Sequence, residues 1–346
     1  MMKLAIQPGA MRRAGRAGRF GLAMLGLAGM LAVSGPAQAQ SSAGAAAQGY
    51  PNKPVRFVVP GAAGGGTDRV ARIVGDRLGQ AWGIPVVVEN RAGGSGFIAS
   101  EHIAKSPADG YSILFGFTAL IQAPALFASV PYDWEKDFAP VSLVAYAPVV
   151  LVVPASSPIK TLAEYVAAAK GSNPISYGSF GIGTSFHIYG ETFQRVAGIN
   201  LLHVPYKGEA LSLTGILGGQ LQSNFNSVGI STPHIRSGKL RALATVTPQR
   251  SKILPEVPTF AELGYPKMDA VGWFGALAPS ATPRAIVEKL SADINRTLAQ
   301  GDAAAVMRDL GFDPVGTTPQ RFAEFLKSDA QKWKQMIQEA GIKASE

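Results

Sequence analysis

The chain has 346 residues, no cysteine, and 32 Lys and Arg against 23 Asp and Glu, a formal net charge of +9. The absence of cysteine excludes a thiol nucleophile, a thiolate metal site, a disulfide framework and a lipid-modified cysteine, so an exported chain of this length must rest on a large apolar core. The charge is not a nucleic-acid footprint, because five basic residues sit in the first segment and the others form no cluster.

That first segment reads as a secretory signal peptide. Arg12, Arg13, Arg16 and Arg19 precede the apolar run Phe20–Val33, and Ala37-Gln38-Ala39 supplies a small-x-small cleavage site. The run is shorter than the ~20 residues a membrane-spanning helix needs. Cleavage after Ala39 removes Lys3 and the four arginines but no acid, leaving 307 residues with 27 basic against 23 acidic groups, a balance of +4. A free product outside the cytoplasmic membrane is expected, which in a Gram-negative cell is the periplasm. Residues 40–49 are small and polar and read as a flexible leader.

From Val55 the pattern alternates strand and helix. Val55–Val59 is a strand; Val70, Ile73, Val74 and Leu78 fall at helical spacing, and Gly83 stops that helix. Pro85–Glu89 is a second strand, a helix follows near Ile98–Lys105, Pro107-Ala108-Asp109-Gly110 is a turn, and Tyr111–Phe117 is a third strand. This β-loop-α rhythm predicts a parallel sheet covered by helices. The apolar run Pro148–Val153 is a buried strand, and after Pro154 the rhythm restarts. Thr161 and Glu164 have capping-box spacing for a helix ending near Gly171. Strand Ile175–Tyr177, a helix to about Ala197, strand Asn200–Val204, a helix near Ala210–Leu217 and strands Gln220–Asn226 and Leu240–Thr245 follow. Ala270–Ala278 is another buried strand, and the tail from Pro283 is mostly helical, with prolines at first-turn positions. Two such α/β units, each opening with a strand that runs into a glycine-rich loop, predict two lobes facing across a cleft, with ligand at the strand ends.

The first loop, Pro60–Asp68, carries Gly64, Gly65, Gly66, Thr67 and Asp68. It is neither a P-loop, which needs Gly-Lys-Ser/Thr, nor a dinucleotide fingerprint, because Arg69 stands where the last glycine belongs. The plainer alternative to an anion site is a tight turn with Thr67 or Asp68 as N-cap. The second loop, Tyr177–His187, offers Gly178, Gly181 and Gly183 for backbone freedom and Ser179, Thr184 and Ser185 as hydroxyls, with His187 on the next first turn. A helix N-terminus with several N–H and O–H donors is a carboxylate trap that needs no arginine; its plainer alternative is a turn with Thr184 or Ser185 as N-cap. The four histidines show no metal spacing, Gly93-Gly94-Ser95-Gly96-Phe97 misses the nucleophile elbow at its last position, and Ser157-Pro158-Ile159-Lys160 lacks the companion motifs of its class. No enzyme, cofactor or metal is expected.

The succession YPNKPVRFVVPGAAGGGTD, VVVENRAGGSGFIASEHIAKSPADGY, YGSFGIGTSFH, HVPYKG and LRALA…PEVPTFAELG…GWFG resembles the Bug family, the periplasmic solute-binding components of tripartite tricarboxylate transporters. The resemblance runs from about Tyr50 to the C-terminus. It implies an α/β, two-lobed periplasmic binding protein of the venus-flytrap type II class, each lobe a mostly parallel sheet flanked by helices. Lobe I would be residues 50–148 plus 272–346, and lobe II residues 149–271. It implies capture of a small carboxylate (a di- or tricarboxylate, an acidic amino acid or an aromatic acid) by two loops matching Gly64–Asp68 and Ser179–His187. Thr118 and Tyr206 would stand in the cleft walls, and Phe97, Phe117, Phe186 and Trp273 are candidates for an aromatic wall. The implied partners are the transporter's membrane subunits or a sensor kinase, and a monomer is expected. A secreted hydrolase using Ser185 and His187, and a signalling adaptor without transport, are the alternatives. Two departures from the family pattern, Asn226 where an acid often stands and Glu209-Ala210-Leu211 in place of a glycine-rich run, prevent carrying over a ligand.

Overall fold

The computed structural model describes residues 49–342 apart from Pro248, so the signal segment and residues 40–48 of the leader lie outside the described residues. The first β-loop-α unit follows from its sequence spacing. Strand β1 (Val55–Val59) enters the glycine loop, and helix α1 (Gly66–Trp82) leaves it with Val70, Val74 and Leu78 buried on one face. Gly83 closes the helix in the left-handed conformation, at φ 65°. Strand β2 (Val86–Asn90), helix α2 (Phe97–Ala104) and strand β3 (Ser112–Phe117) follow, with β1 parallel to both β2 and β3.

Strands β4 (Phe138–Ala147) and β10 (Gly272–Pro279) join this sheet in antiparallel sense, and the short β11 (Asp313–Pro314) closes its edge in the order β11-β4-β10-β3-β1-β2. The second sheet has the order β7-β6-β8-β5-β9, built from β5 (Val149–Pro154), β6 (Ile175–Ser179), β7 (Leu201–Pro205), β8 (Ser223–Ser227) and β9 (Leu240–Val246). Here β6 runs parallel to β7 and β8, whereas β5 is antiparallel to β8 and β9. The expectation of mostly parallel sheets is therefore corrected to two mixed sheets. Pairing is parallel where a βαβ unit winds and antiparallel along the strands that carry the chain from one sheet to the other and back. A single residue, Pro148, separates β4 of the first sheet from β5 of the second.

Each sheet is covered on both faces. On one face of the first sheet, Phe57, Ile113 and Phe115 pack against α1 and against α8 (Arg284–Ala299), through Ile286, Leu290 and Ile294. On one face of the second, Val150 and Val152 pack under α6 (Glu209–Leu217) and α7 (Val228–Arg236). A third cluster runs without a break from Val58 and Leu114 in the first sheet, through Leu151 and Phe225 in the second, to Tyr189 on α5 (Ser185–Ala197) and Trp333 on α10 (Pro319–Ala340). The capping chemistry read from sequence is present: Thr161 accepts from the Glu164 N–H ahead of α4 (Leu162–Ala169), and Thr318 accepts from the Arg321 N–H with Pro319 next in line.

Three elements escape a sequence reading. Strand β4 is masked because it merges with β5 into one apolar run broken only by prolines. Helices α3 (Ala119–Leu126) and α7 carry Pro124 and Pro233 inside them, a residue type that normally ends a helix. Pro124 has no N–H to give the Leu120 carbonyl, and the Tyr132 hydroxyl donates to that carbonyl instead, at 3.1 Å.

Helix α10 is pinned by a buried carboxylate. Asp329 accepts the indole N–H of Trp273 at 2.9 Å and that of Trp333 at 3.1 Å, and the Trp333 ring lies 5.5 Å from Tyr189. Burial pushes the Asp329 carboxyl up to about 6 despite those two donors and Lys332. A folded-state value above the unfolded one means that the folded state holds its proton longer, so stability falls as pH rises through the window from 3.8 to about 6. A shift of that size is worth up to about 3 kcal/mol. Asp329→Asn keeps an acceptor and removes the titration. The stability of the wild type relative to this variant should fall by about 1–3 kcal/mol between about pH 4 and pH 6.5, measured by urea unfolding across that range.

Candidate functional site

Both glycine loops open into one cavity of about 460 Å³ between the two sheets. Helix α1 presents Gly65, Gly66, Thr67 and Asp68 to it, and helix α5 presents Thr184, Ser185 and Phe186 from the other side. The first amides of any α-helix lack an intrahelical acceptor, and the usual remedy is a side-chain cap. Neither helix uses one. The N-cap of α1 is Gly65, which has no side chain to give, and the carboxylate of Asp68, inside the first turn, accepts the Gly64 N–H at 2.9 Å. Thr184 does occupy the N-cap position of α5, but its hydroxyl donates to the Gly181 carbonyl at 2.7 Å. The alternative N-cap roles at Thr67 and Thr184 are not taken up, whereas Asp68 does cap a backbone N–H, that of Gly64. Two helix N-termini with uncapped amides and aligned dipoles face one cavity, which suits an anion.

The remaining candidate residues divide into lining and support. Gly181, Thr118 and Tyr206 line the cavity with the residues above, whereas Gly64, Ser179, Gly183 and His187 do not. Thr118 also accepts the Trp273 N–H at 2.9 Å, tying β3 to the start of β10. Asp68 is held by Arg72 (2.9 Å) and Asn90 (3.0 Å). Burial alone would raise its carboxyl, but Arg72, the Gly64 N–H and Asn90 outweigh that and hold it below the ordinary carboxylate range. Asp68 is therefore a buried brace for the first loop. Ser179 is fully buried; its hydroxyl engages the Gly181 backbone and lies 2.7 Å from His203 Nε2. His187 accepts the Gly183 N–H on Nδ1 at 3.2 Å, and its ring stacks on His203 at 4.2 Å. Burial lowers His187 to about 4, and burial with the neighbouring His187 lowers His203 to about 3, so both rings are neutral at pH 7.

A Ser–His pair does exist, but it is Ser179 with His203 behind the second loop, not Ser185 with His187. Ser185 exchanges hydrogen bonds with Gln122 of α3, at 3.0 Å from Gln122 Nε2. Gln122 is itself fully buried, so this contact joins the two sides of the cleft. Ser95 makes a second bridge, donating its hydroxyl to the Ile182 carbonyl at 2.6 Å.

Sequence reasoning missed several lining residues. Phe180 and Phe274 join Phe117, Phe186 and Trp273 as aromatic lining; Phe97 instead packs on Phe127 and Tyr132. Lys207, Glu209 and Ser227 also line the cavity. Lys207 belongs to the Pro205–Gly208 loop and Glu209 to the departure from the family pattern that the sequence did flag, whereas Ser227, at the end of β8, was missed. Among the described residues no cluster of potential metal ligands occurs.

Gly183 shows how closely the loops approach. Its φ is 75°, and a Cβ there would stand 2.7 Å from the Phe127 ring across the cleft. Gly183→Ala should cost about 2 kcal/mol through left-handed strain plus the ring clash, read as a shift in urea midpoint without a change of slope.

Comparison with known proteins agrees with this geometry. Residues 70–342 match the model of the tripartite tricarboxylate transporter family receptor. The protein BugT of Bordetella pertussis is 35% identical over 310 residues, 89% of this chain and 95% of that one. The solved periplasmic binding protein BugD superposes with a TM-score of 0.81 at 32% identity, covering 86% of this chain and all of that one. A protein of R. palustris, Rpa4515, solved with adipate, superposes with a TM-score of 0.83 at 32% identity and the same coverage. The chain belongs to the tripartite tricarboxylate transporter receptor family and has the two-sheet α/β fold of its periplasmic binding proteins.

Proposed function

We propose that this chain is an extracytoplasmic solute-binding protein that captures a small carboxylate between the two glycine loops. The observation that carries the reading is the pair of uncapped helix N-termini, α1 and α5, facing one cavity. Adipate in the relative Rpa4515 supports the ligand class. Hydrogen bonds to a charged group contribute about 1.5–3 kcal/mol each, so three or four of them supply the gross energy of a micromolar complex before ordering costs. The aromatic lining would bury the ligand's body, and no chemical step on the ligand is part of the proposal.

The lobes in this reading are residues 50–148 with 272–346, and residues 149–271. Pro148 and the segment before Gly272 are then the two crossings about which the lobes close. Ligand contacts made only in the closed form would drive that closure. The periplasm is the expected compartment, and the closed form would be handed to the membrane subunits of a transporter or to a sensor. Among the described residues no helix is long and apolar enough to cross a membrane.

A thermal-shift screen of the mature protein against carboxylates, with the corresponding neutral amides as controls, tests this reading. A ligand at 100 times its dissociation constant stabilises the folded state by about 2.7 kcal/mol. A carboxylate should raise the melting temperature where its amide does not. Equal silence from acids and amides, in protein first refolded to remove bound solute, would sink the proposal.

A further inference from the structure

One carboxylate is already inside the cleft. Glu209, the first residue of α6, is only 9% exposed and lines the cavity. Its carboxyl accepts the Ser227 N–H at 2.5 Å; burial raises it above the ordinary carboxyl range, while the Ser227 hydroxyl and N–H and the Gly66 N–H oppose that rise. Gly66 is the first residue of α1. Glu209, the first residue of a helix of the second sheet, and Gly66, the first residue of the helix that springs from the first, thus line the same cavity.

The rest of the lining sharpens the consequence. Among the described residues it holds three charged side chains, Asp68, Glu209 and Lys207. Asp68 is paired with Arg72, and Lys207 is exposed. Between the two helix poles the walls are aromatic, from Phe117, Phe180, Phe186, Trp273 and Phe274. A ligand with one carboxylate at α5 and an apolar body along these rings meets compatible chemistry throughout. A second carboxylate at the far end meets Glu209 where the α1 amides would otherwise receive it, and like charges in a water-poor site repel strongly.

Resting on the solute-capture reading above, we propose that Glu209 occupies the anion position of α1 from within, and that this makes the cleft selective for monocarboxylates with an apolar body over dicarboxylates of the same length. Glu209 is here a specificity-determining residue: it acts by exclusion, a repulsive element that an attractive pocket alone does not supply.

Matched acid pairs test it, with hexanoate against adipate and benzoate against terephthalate, by calorimetric titration at pH 7. The wild type should bind the monoacid of a pair at least about ten-fold more tightly. Glu209→Gln, which keeps the shape and removes the charge, should tighten the diacid by about ten-fold more than it tightens the monoacid, abolishing the wild-type preference. Glu209→Ala is a second variant should the glutamine disturb the Ser227 contact, and the wild-type comparison needs neither. Equal or tighter binding of the diacid by the wild type, or an unchanged preference in both variants, overturns the inference and leaves carboxylate capture standing. Failure of all four acids to bind wild type and variants alike overturns both.

Discussion

The arrangement on which the rest of the molecule depends is the convergence of two helix N-termini, from two sheets, on one cavity. Each terminus has first-turn amides that its own helix cannot satisfy, and each lacks the side-chain cap that would ordinarily quiet them. Left alone, such donors buried between lobes would be costly. In the proposed reading, a carboxylate held at α5, with Glu209 at α1, brings acceptors to both sets of donors. Closure and binding are coupled in that reading, because contacts from both sides are made only when the cavity is shut around the ligand.

Holding donors uncapped requires that the nearby acceptors be occupied elsewhere. Asp68 is the clearest case: one turn into α1, it would compete for the site, and instead Arg72, Asn90 and the Gly64 N–H fix it to the loop. Thr184 is turned away by the Gly181 carbonyl. Behind the second loop, Ser179, His203 and His187 form a buried polar stack whose rings burial keeps neutral, so the loop is shaped by hydrogen bonds without adding charge to the cavity. Glu209 is the exception, a carboxylate placed where the others have been kept out. Burial raises it while Ser227 and the Gly66 amide oppose that rise.

Much of this was legible in the chain. The strand-loop-helix rhythm located β1, α1 and the two glycine loops to within a residue or two, because apolar periodicity and glycine punctuation are local signals. The prolines inside α3 and α7 defeated the same logic, since their tolerance depends on tertiary partners such as the Tyr132 hydroxyl. At the site, residue type marked the loops as donor-rich and Asp68 as a cap for backbone N–H groups, which it is for Gly64, but left open where the hydroxyls point. A threonine at an N-cap position points to its own helix or away from it according to the loop that precedes it. Glu209 was singled out as a departure from the family pattern but not as a neighbour of Gly66, more than 140 positions earlier, and Ser227 carried no signal at all.

The continuity of the core limits how the proposed lobes could move. One apolar cluster runs through both sheets, and α10 packs Trp333 against Tyr189 while Asp329 holds Trp273, at the start of the returning strand β10. Sliding the lobes past each other would tear this cluster, whereas rotation about an axis near it would leave it packed. Pro148 and the segment entering Gly272 are the only chain crossings between the sheets among the described residues. Trp273 follows directly on the second, with its N–H on Thr118 at the cavity wall. In the proposed two-lobe reading, a hinge that passes beside Trp273 would open the loop mouth while keeping the back of the cleft closed. On that reading the bridging contact from Ser95 to Ile182 has the greatest leverage on the opening.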